Sequence, residues 1–367
     1  MINTTEIENI CGLKRSDFQA TVGGKETDLY ILKNNQGNEV AITNYGGALV
    51  AIMVPDKNGN RANVIQGHDN IQDVINSPEP YLSTLVGRYG NRICKGRFQL
   101  HGKEYQLPIN NGPNCLHGGL KGFNAKVWEA LQMNEHTLVL KYVSPYGEEG
   151  FSGEMKVTVE YSFTDDNELV IEYMATTNKK TVVNLTSHGF FSLAGIANPT
   201  PSIENLECEI NADYYLPIDE TSIPTGEVRF VKGTPFDFRT PKTVGQDIDA
   251  DHEQIKNGAG YDHCCVLNKK EEGELDVPTA SMLEQKLEKS HFTRVDSDII
   301  ERIIVKEDAK KESLEAGRKD NLSQVFTSQL PKMEKAEIYV DVEPMGEQAQ
   351  PVIITQSVIP STSQKMA

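Results

Sequence analysis

Over the first three-quarters of the chain, apolar residues fall in short runs broken by polar turns, with few long helical stripes. Residues 29–32 form one such run. The turn Asn34-Asn35-Gln36-Gly37-Asn38 follows, and a second run occupies residues 39–43. Asp56-Lys57-Asn58-Gly59-Asn60 is another turn, and residues 98–107 read as a hairpin folded about His101-Gly102-Lys103. Residues 137–142, 154–163 and 168–175 alternate or run apolar at strand length, with Asp165-Asp166-Asn167 as the turn between the last two. Runs of this length between Asn/Asp/Gly turns predict strands and hairpins. Many of them in series, with little helix, predict an antiparallel sandwich. No internal repeat of solenoid period is present.

The pattern changes near Thr279. All but two of the 29 glycines precede residue 281, the exceptions being Gly317 and Gly346. Residues 281–290 and 307–322 are rich in Lys and Glu and predict helix. Strands are predicted again at 299–305, 336–342 and 351–359; in the second of these Ile338, Val340 and Val342 alternate with polar neighbours. Residues 360–367 read as a frayed end. The expected organisation is therefore a β-domain over residues 1–280 and a C-terminal tail of different character, unrelated or divergent, over residues 281–367.

Composition narrows the possible partners. The net charge is −17, and no long Lys/Arg run offsets it. Such a field repels phosphate backbones and anionic lipid surfaces, so no nucleic acid and no membrane partner is expected. The first 18 residues lack the basic start and apolar stretch of a secretory leader. No stretch approaches the roughly 18 apolar residues that a bilayer requires. Cys11, Cys94, Cys115, Cys208, Cys264 and Cys265 show no CxxC spacing and read as reduced thiols, which points to the cytoplasm.

Three segments concentrate candidate chemistry. Gly87-Arg88-Tyr89-Gly90-Asn91-Arg92-Ile93 sets two arginines among glycines, and Asn114-Cys115-Leu116-His117-Gly118-Gly119 puts a histidine beside two more. Asn184-Leu185-Thr186-Ser187-His188-Gly189-Phe190-Phe191 puts another histidine among hydroxyls and aromatics. A fourth segment, Gly258-Ala259-Gly260-Tyr261-Asp262-His263, is weaker. Taken singly, each has an ordinary structural reading: a solvated arginine, or a turn histidine with a satisfied ring. Together, two histidines, paired arginines and an aspartate in Gly-rich loops can line a pocket for a neutral, hydroxyl-rich ligand. His68, His101, His136, His252, His263 and His291 lack this context and are read as structural.

In order and spacing these segments resemble the aldose 1-epimerase (galactose mutarotase) family. Lys95-Gly96, Gly122-Phe123, Trp128, Leu193-Ala194-Gly195, Asn44-Tyr45-Gly46-Gly47 and Pro235-Phe236-Asp237-Phe238-Arg239 extend the match over residues 1–280. The resemblance implies an all-β fold, the galactose mutarotase-like antiparallel β-sandwich (supersandwich), incomplete at its C-terminal end and followed by a mixed α/β or partly disordered tail. It implies interconversion of the α and β anomers of an aldohexose such as galactose or glucose, within hexose metabolism. By the same resemblance, Asn91 and Arg92 hold sugar hydroxyls, and His117 binds near the ring oxygen as a second catalytic histidine. His188 is the general acid and Asp262 fixes another hydroxyl. A monomer acting on a small-molecule aldohexose, with no metal or other cofactor, is expected.

The chemistry is coherent without the family. Ring opening removes a proton from the anomeric hydroxyl and delivers one to the ring oxygen. A histidine, with an unperturbed pKa of about 6.5, has both forms accessible near neutrality. The resemblance also implies a downstream glutamate as base and further closing strands. Glu301, Glu337 and Glu343 lie near strand candidates without the family's surrounding motif, so the base is assigned to none of them. Gly189 stands where relatives commonly carry a bulkier residue. Without a base, the alternative reading is a non-catalytic carbohydrate-binding protein. A hexose-6-phosphate epimerase fits less well, because the acidic balance offers little to pair with a phosphate.

Overall fold

Strand Met155–Phe163 shows how the sequence pattern becomes structure. In the computed structural model Met155, Val157, Val159, Tyr161 and Phe163 are buried, while the residues between them are at least partly exposed. A period of two allows only one face of such a strand to meet a core. The structure describes residues 9–197 and 202–268, together with strands Ala280–Glu284, Val295–Ser297, Arg302–Ile304 and Val352–Val358.

Met155–Phe163 lies inside a six-stranded antiparallel sheet. The order across it is Glu129–Gln132, Thr137–Ser144, Met155–Phe163, Leu169–Thr177, Val352–Val358 and Arg302–Ile304. A four-stranded sheet made of Leu29–Lys33, Glu39–Thr43, Leu49–Pro55 and Arg61–Asn63 packs against it. Leu32, Val40, Ile42 and Ile52 from this sheet join Leu138, Val157, Tyr161 and Ile171 from the larger one in a single core around Trp128. All five residues of Glu39–Thr43 are buried, because Phe18, Ile71 and Val74 cover the opposite face of that sheet. Fully burying one such aliphatic side chain contributes about 1.5–3 kcal/mol.

Two smaller sheets carry the rest. Leu206–Ile210 pairs with Lys242–Thr243 on one side and with Ala280–Glu284 on the other, and Val295–Ser297 pairs with Ala280–Glu284. Ala212–Tyr215 lies between Arg229–Phe230 and Cys265–Leu267. Among the described residues only Ile71–Ile75 and Glu253–Gly258 are α-helical, and no helix is long and apolar enough to cross a membrane.

The all-β reading stands, and the hairpins and turns of residues 29–43, 56–60, 98–107 and 137–175 form where the pattern placed them. One local expectation is corrected. Residues 281–284 were read as helix from composition, but they belong to strand Ala280–Glu284, paired along its whole length with Leu206–Ile210. Cross-strand pairing overrides a propensity of a few tenths of a kcal/mol per residue, as tertiary context commonly does. The strands expected at 299–305 and 351–359 appear as Arg302–Ile304 and Val352–Val358. The strand expected at 336–342 and the helix expected at 307–322 lie outside the described residues. None of the six cysteines, all among the described residues, is joined in a disulfide.

Candidate active site

Short strand pairings bring the three histidine and arginine segments together. Leu85–Val86 pairs with Thr186–Ser187, and Arg92–Ile93 pairs with Cys115–Leu116. A bridge between Tyr89 and Asn184 closes the set. Asn91, His117 and His188, up to 97 positions apart in sequence, thus emerge from adjoining pieces of backbone. Close approach explains the glycines. A Cβ on Gly118 would sit 1.9 Å from the carbonyl oxygen of Gly87, and Gly118 itself holds φ +89. Only glycine tolerates that contact and that backbone conformation together.

Asn91 and His117 bind one another twice. The His117 N–H donates to the Asn91 carbonyl at 3.1 Å, and the Asn91 N–H donates to His117 Nδ1 at 3.0 Å. Both residues sit in the left-handed region, at φ +67 and +52, a conformation that clusters at functional sites in non-glycine residues. An Nδ1 that accepts a backbone proton leaves the ring hydrogen on Nε2, so His117 can offer an N–H donor. Burial, then the neighbouring His188 and Arg92, draw its pKa down to about 3. His117 is therefore neutral across the physiological range and cannot act as a proton-donating imidazolium there.

The His188 ring meets that of His117 edge-on, with centroids 5.1 Å apart at 85°. On its other side it stacks on Phe190 at 5.0 Å and 24°. Its backbone is fixed by two hydrogen bonds: His188 N–H donates to Thr84 O at 2.8 Å, and Ser83 N–H donates to His188 O at 2.9 Å. At Gly189 a Cβ would meet the Phe191 ring at 2.7 Å, so here the aromatic two positions on fills the space of the bulkier residue.

Arg92 and Asp262 complete the group. Arg92 Nε donates to Asn111 Oδ1 at 3.0 Å, and its Nη1 lies 3.5 Å from Asp262 Oδ2. Asp262 follows the helix Glu253–Gly258, which His252 caps by accepting from Gln254 N–H. His263 reaches Gln254 Oε1 through Nε2 at 3.1 Å, which ties the aspartate's loop to that helix. The structure thus brings Asn91, Arg92, His117 and His188 together, with Asp262 joined to them through Arg92. Glu301, Glu337 and Glu343 lie outside the described residues.

Sequence reasoning missed Tyr81, whose ring stands edge-on to His117 at 4.6 Å, and Asn110 and Asn111, which hold that loop and Arg92. Nothing in the polar stretch around Tyr81 signals its position. Asn110 and Asn111 precede the histidine segment and could have been noted as turn formers. Of the other histidines, His136 bonds the Lys33 carbonyl and His101 faces Lys180, as structural residues would.

The family model for aldose 1-epimerase matches residues 28–298. The chain belongs to the aldose 1-epimerase family. Galactose mutarotase of Bos taurus is 41% identical over 251 residues, covering 68% of this chain and 70% of that one. Aldose 1-epimerase of Escherichia coli (strain K12) is 33% identical over 270 residues, 74% of this chain and 77% of its own. Among solved structures, galactose 1-epimerase from Lactobacillus acidophilus NCFM superposes with a TM-score of 0.69 at 26% identity, covering 92% of this chain and 95% of that one. The structural likeness covers more of the chain than residues 1–298 contain.

Proposed function

We propose that the protein interconverts the α and β anomers of an aldohexose, galactose or glucose, by acid–base opening and closing of the sugar ring. The observation that carries this reading is the mutually edge-on pair of histidines, one of them locked as an N–H donor by Asn91. In the forward step the anomeric O–H loses its proton and the bond from C1 to the ring oxygen breaks. His188 delivers a proton to that oxygen, giving the open-chain aldehyde. Rotation about C1–C2 and the reverse transfers yield the other anomer. No atom or electron is gained overall, so the reaction needs no redox partner.

The two histidines divide the work. His117 stays neutral and points Nε2–H at the ring-oxygen side, where it binds without competing for the acid's proton. Arg92, Asn91 and Asp262 offer donors and acceptors suited to sugar hydroxyls. Among the described residues no side chain is assigned as base, and the anomeric proton passes to water. A positioned base typically adds about 10²–10⁴-fold, so turnover below that of a fully equipped mutarotase is expected. The net charge of −17 suits a neutral sugar better than a phosphorylated one. A cytoplasmic monomer is part of the same proposal.

Polarimetry of α-D-galactose or α-D-glucose, with protein against buffer, tests it. A clear acceleration that disappears in His188→Ala, with an unchanged melting temperature, is expected. An intact acceleration in that variant would remove His188 from the mechanism, and none from the folded native chain would remove the reaction.

A further inference from the structure

We infer that Tyr81 is a positioning residue that braces the two pocket histidines against each other, an inference resting on the mutarotase reading above. The turn carrying Tyr81 is bonded to both histidine segments. Thr84 O accepts from His188 N–H, and Ser83 N–H donates to His188 O. Ser83 Oγ, in turn, accepts from Phe190 N–H at 3.2 Å, so the ring that stacks on His188 is fixed from the same turn. From that backbone the Tyr81 ring crosses to the other histidine, standing edge-on to His117 at 4.6 Å and 67° and lying 6.3 Å from His188.

The far end of the ring is held too. The Asn110 side-chain amide approaches the Tyr81 phenol oxygen at 3.3 Å. The same amide donates to Leu116 O and Gly119 O, and Asn110 Oδ1 accepts from Leu116 N–H at 2.7 Å. Asn110 therefore clamps the residues on both sides of His117 and touches Tyr81 while doing so. The base of the turn is held by Asn124 Nδ2, which donates to Pro80 O at 3.1 Å.

Among the described residues, Tyr81 is thus the one other aromatic ring in contact with both histidine rings, and it sits on the turn that fixes the backbone of one of them. Edge-to-face contacts at these separations favour a defined ring orientation. In proton transfer orientation is the quantity at stake, since a misplacement of about 1 Å can cost about 10²-fold in rate. The 3.3 Å approach from Asn110 is long, and both hydrogens of that amide already have better acceptors. The ring and not the hydroxyl therefore supplies the bracing.

Tyr81→Leu and Tyr81→Phe, each in the full chain, test the assignment by polarimetry at several galactose concentrations. For Tyr81→Leu, kcat is expected to fall about 10–100-fold with KM within about threefold of the native value. Tyr81→Phe, which keeps the ring, should stay within about threefold in both. Long-range proton–nitrogen spectra of the imidazoles give a second readout that needs no turnover. His117 should appear as the Nε2–H tautomer in the native chain and in Tyr81→Phe, and as a mixture in Tyr81→Leu. Native kcat in Tyr81→Leu overturns the inference, as does a tenfold loss in Tyr81→Phe or identical imidazole spectra throughout. A native chain that fails to accelerate mutarotation refutes the proposed function instead, and the spectra then decide the role of Tyr81 alone.

Discussion

Replacing Arg88 with Met should cost more stability than almost any other single change in the site's surroundings. Arg88 is 2% exposed, and its guanidinium makes four hydrogen bonds. Nε donates to Ser144 Oγ at 2.8 Å, Nη1 to Ser152 O at 2.9 Å, and Nη2 to both Ser144 O and Pro145 O at 2.9 Å. Methionine fills much of the volume but leaves three carbonyls without these donors, at about 1–3 kcal/mol for each buried group left unsatisfied. Part of that is offset, because the charge itself is costly to bury. Desolvation pulls the Arg88 pKa down to about 10, against the opposing pull of Glu148 and Tyr142. The net loss expected is about 3–5 kcal/mol, as when one partner of a buried charged network is removed. Urea unfolding followed by fluorescence suits the measurement, because Trp128 is the only tryptophan and is 1% exposed in the main core. Arg88→Lys should recover little, since an ammonium cannot reproduce the planar fork. A loss below about 1 kcal/mol in Arg88→Met would refute the view that these bonds hold the loop.

The depressed pKa of His117 makes a pH prediction. With a folded value of about 3 and an unfolded value of about 6.5, the unfolded chain binds more protons between those limits. Stability from this residue is thus fully present above pH 6.5 and is lost as pH falls toward 3. Melting temperatures from pH 7 to 4 should fall less steeply in His117→Asn than in the native chain, and equal slopes would show that the burial of His117 does not matter. Asp262→Asn removes the charge opposite Arg92 and, on the proposed function, weakens an acceptor for a sugar hydroxyl. KM for galactose should rise about 5–30-fold, roughly 1–2 kcal/mol, a part of the roughly 1.5–3 kcal/mol of a hydrogen bond to a charged group because the amide oxygen still accepts, while kcat changes less. A selective fall in kcat would instead assign Asp262 to the proton transfers.

The parts of the site that sequence revealed share a physical cause. Gly118 and Gly122 are required because backbone meets backbone, and Gly87 because the Phe123 and Leu185 side chains close on it; a glycine at such a contact is visible in any sequence. Asn91 and His117, each next to a glycine (Gly90 and Gly118), both take the strained left-handed conformations that a tight loop needs. The short turns and alternating strands were legible for the same reason, since their conformations are dictated within a few residues. Tyr81 and Arg88 were not legible in role. Their work depends on partners 29–107 positions away in sequence, and neither a turn type nor a period records such a meeting.

The C-terminal region marks the same boundary from the other side. Lys/Glu-rich composition predicted helix at residues 281–284, where pairing with Leu206–Ile210 produces strand. Farther on, Val352–Val358 lies along Leu169–Thr177 in unbroken antiparallel register, from Leu169 opposite Val358 to Ala175 opposite Val352. Leu169–Thr177 would otherwise present its backbone donors and acceptors as an open edge, the feature most prone to pairing with another chain. An edge specifies a residue sequence far more weakly than it specifies a strand-forming segment, because most of what it offers is main-chain hydrogen bonding. A segment beyond the matched residues 28–298 can therefore still pair with a strand inside them. The catalytic base differs in kind, because it requires one carboxylate at one position. The fold can thus tolerate a change of sequence that the chemistry would register, which is why the turnover rate of the native chain carries more information than its stability.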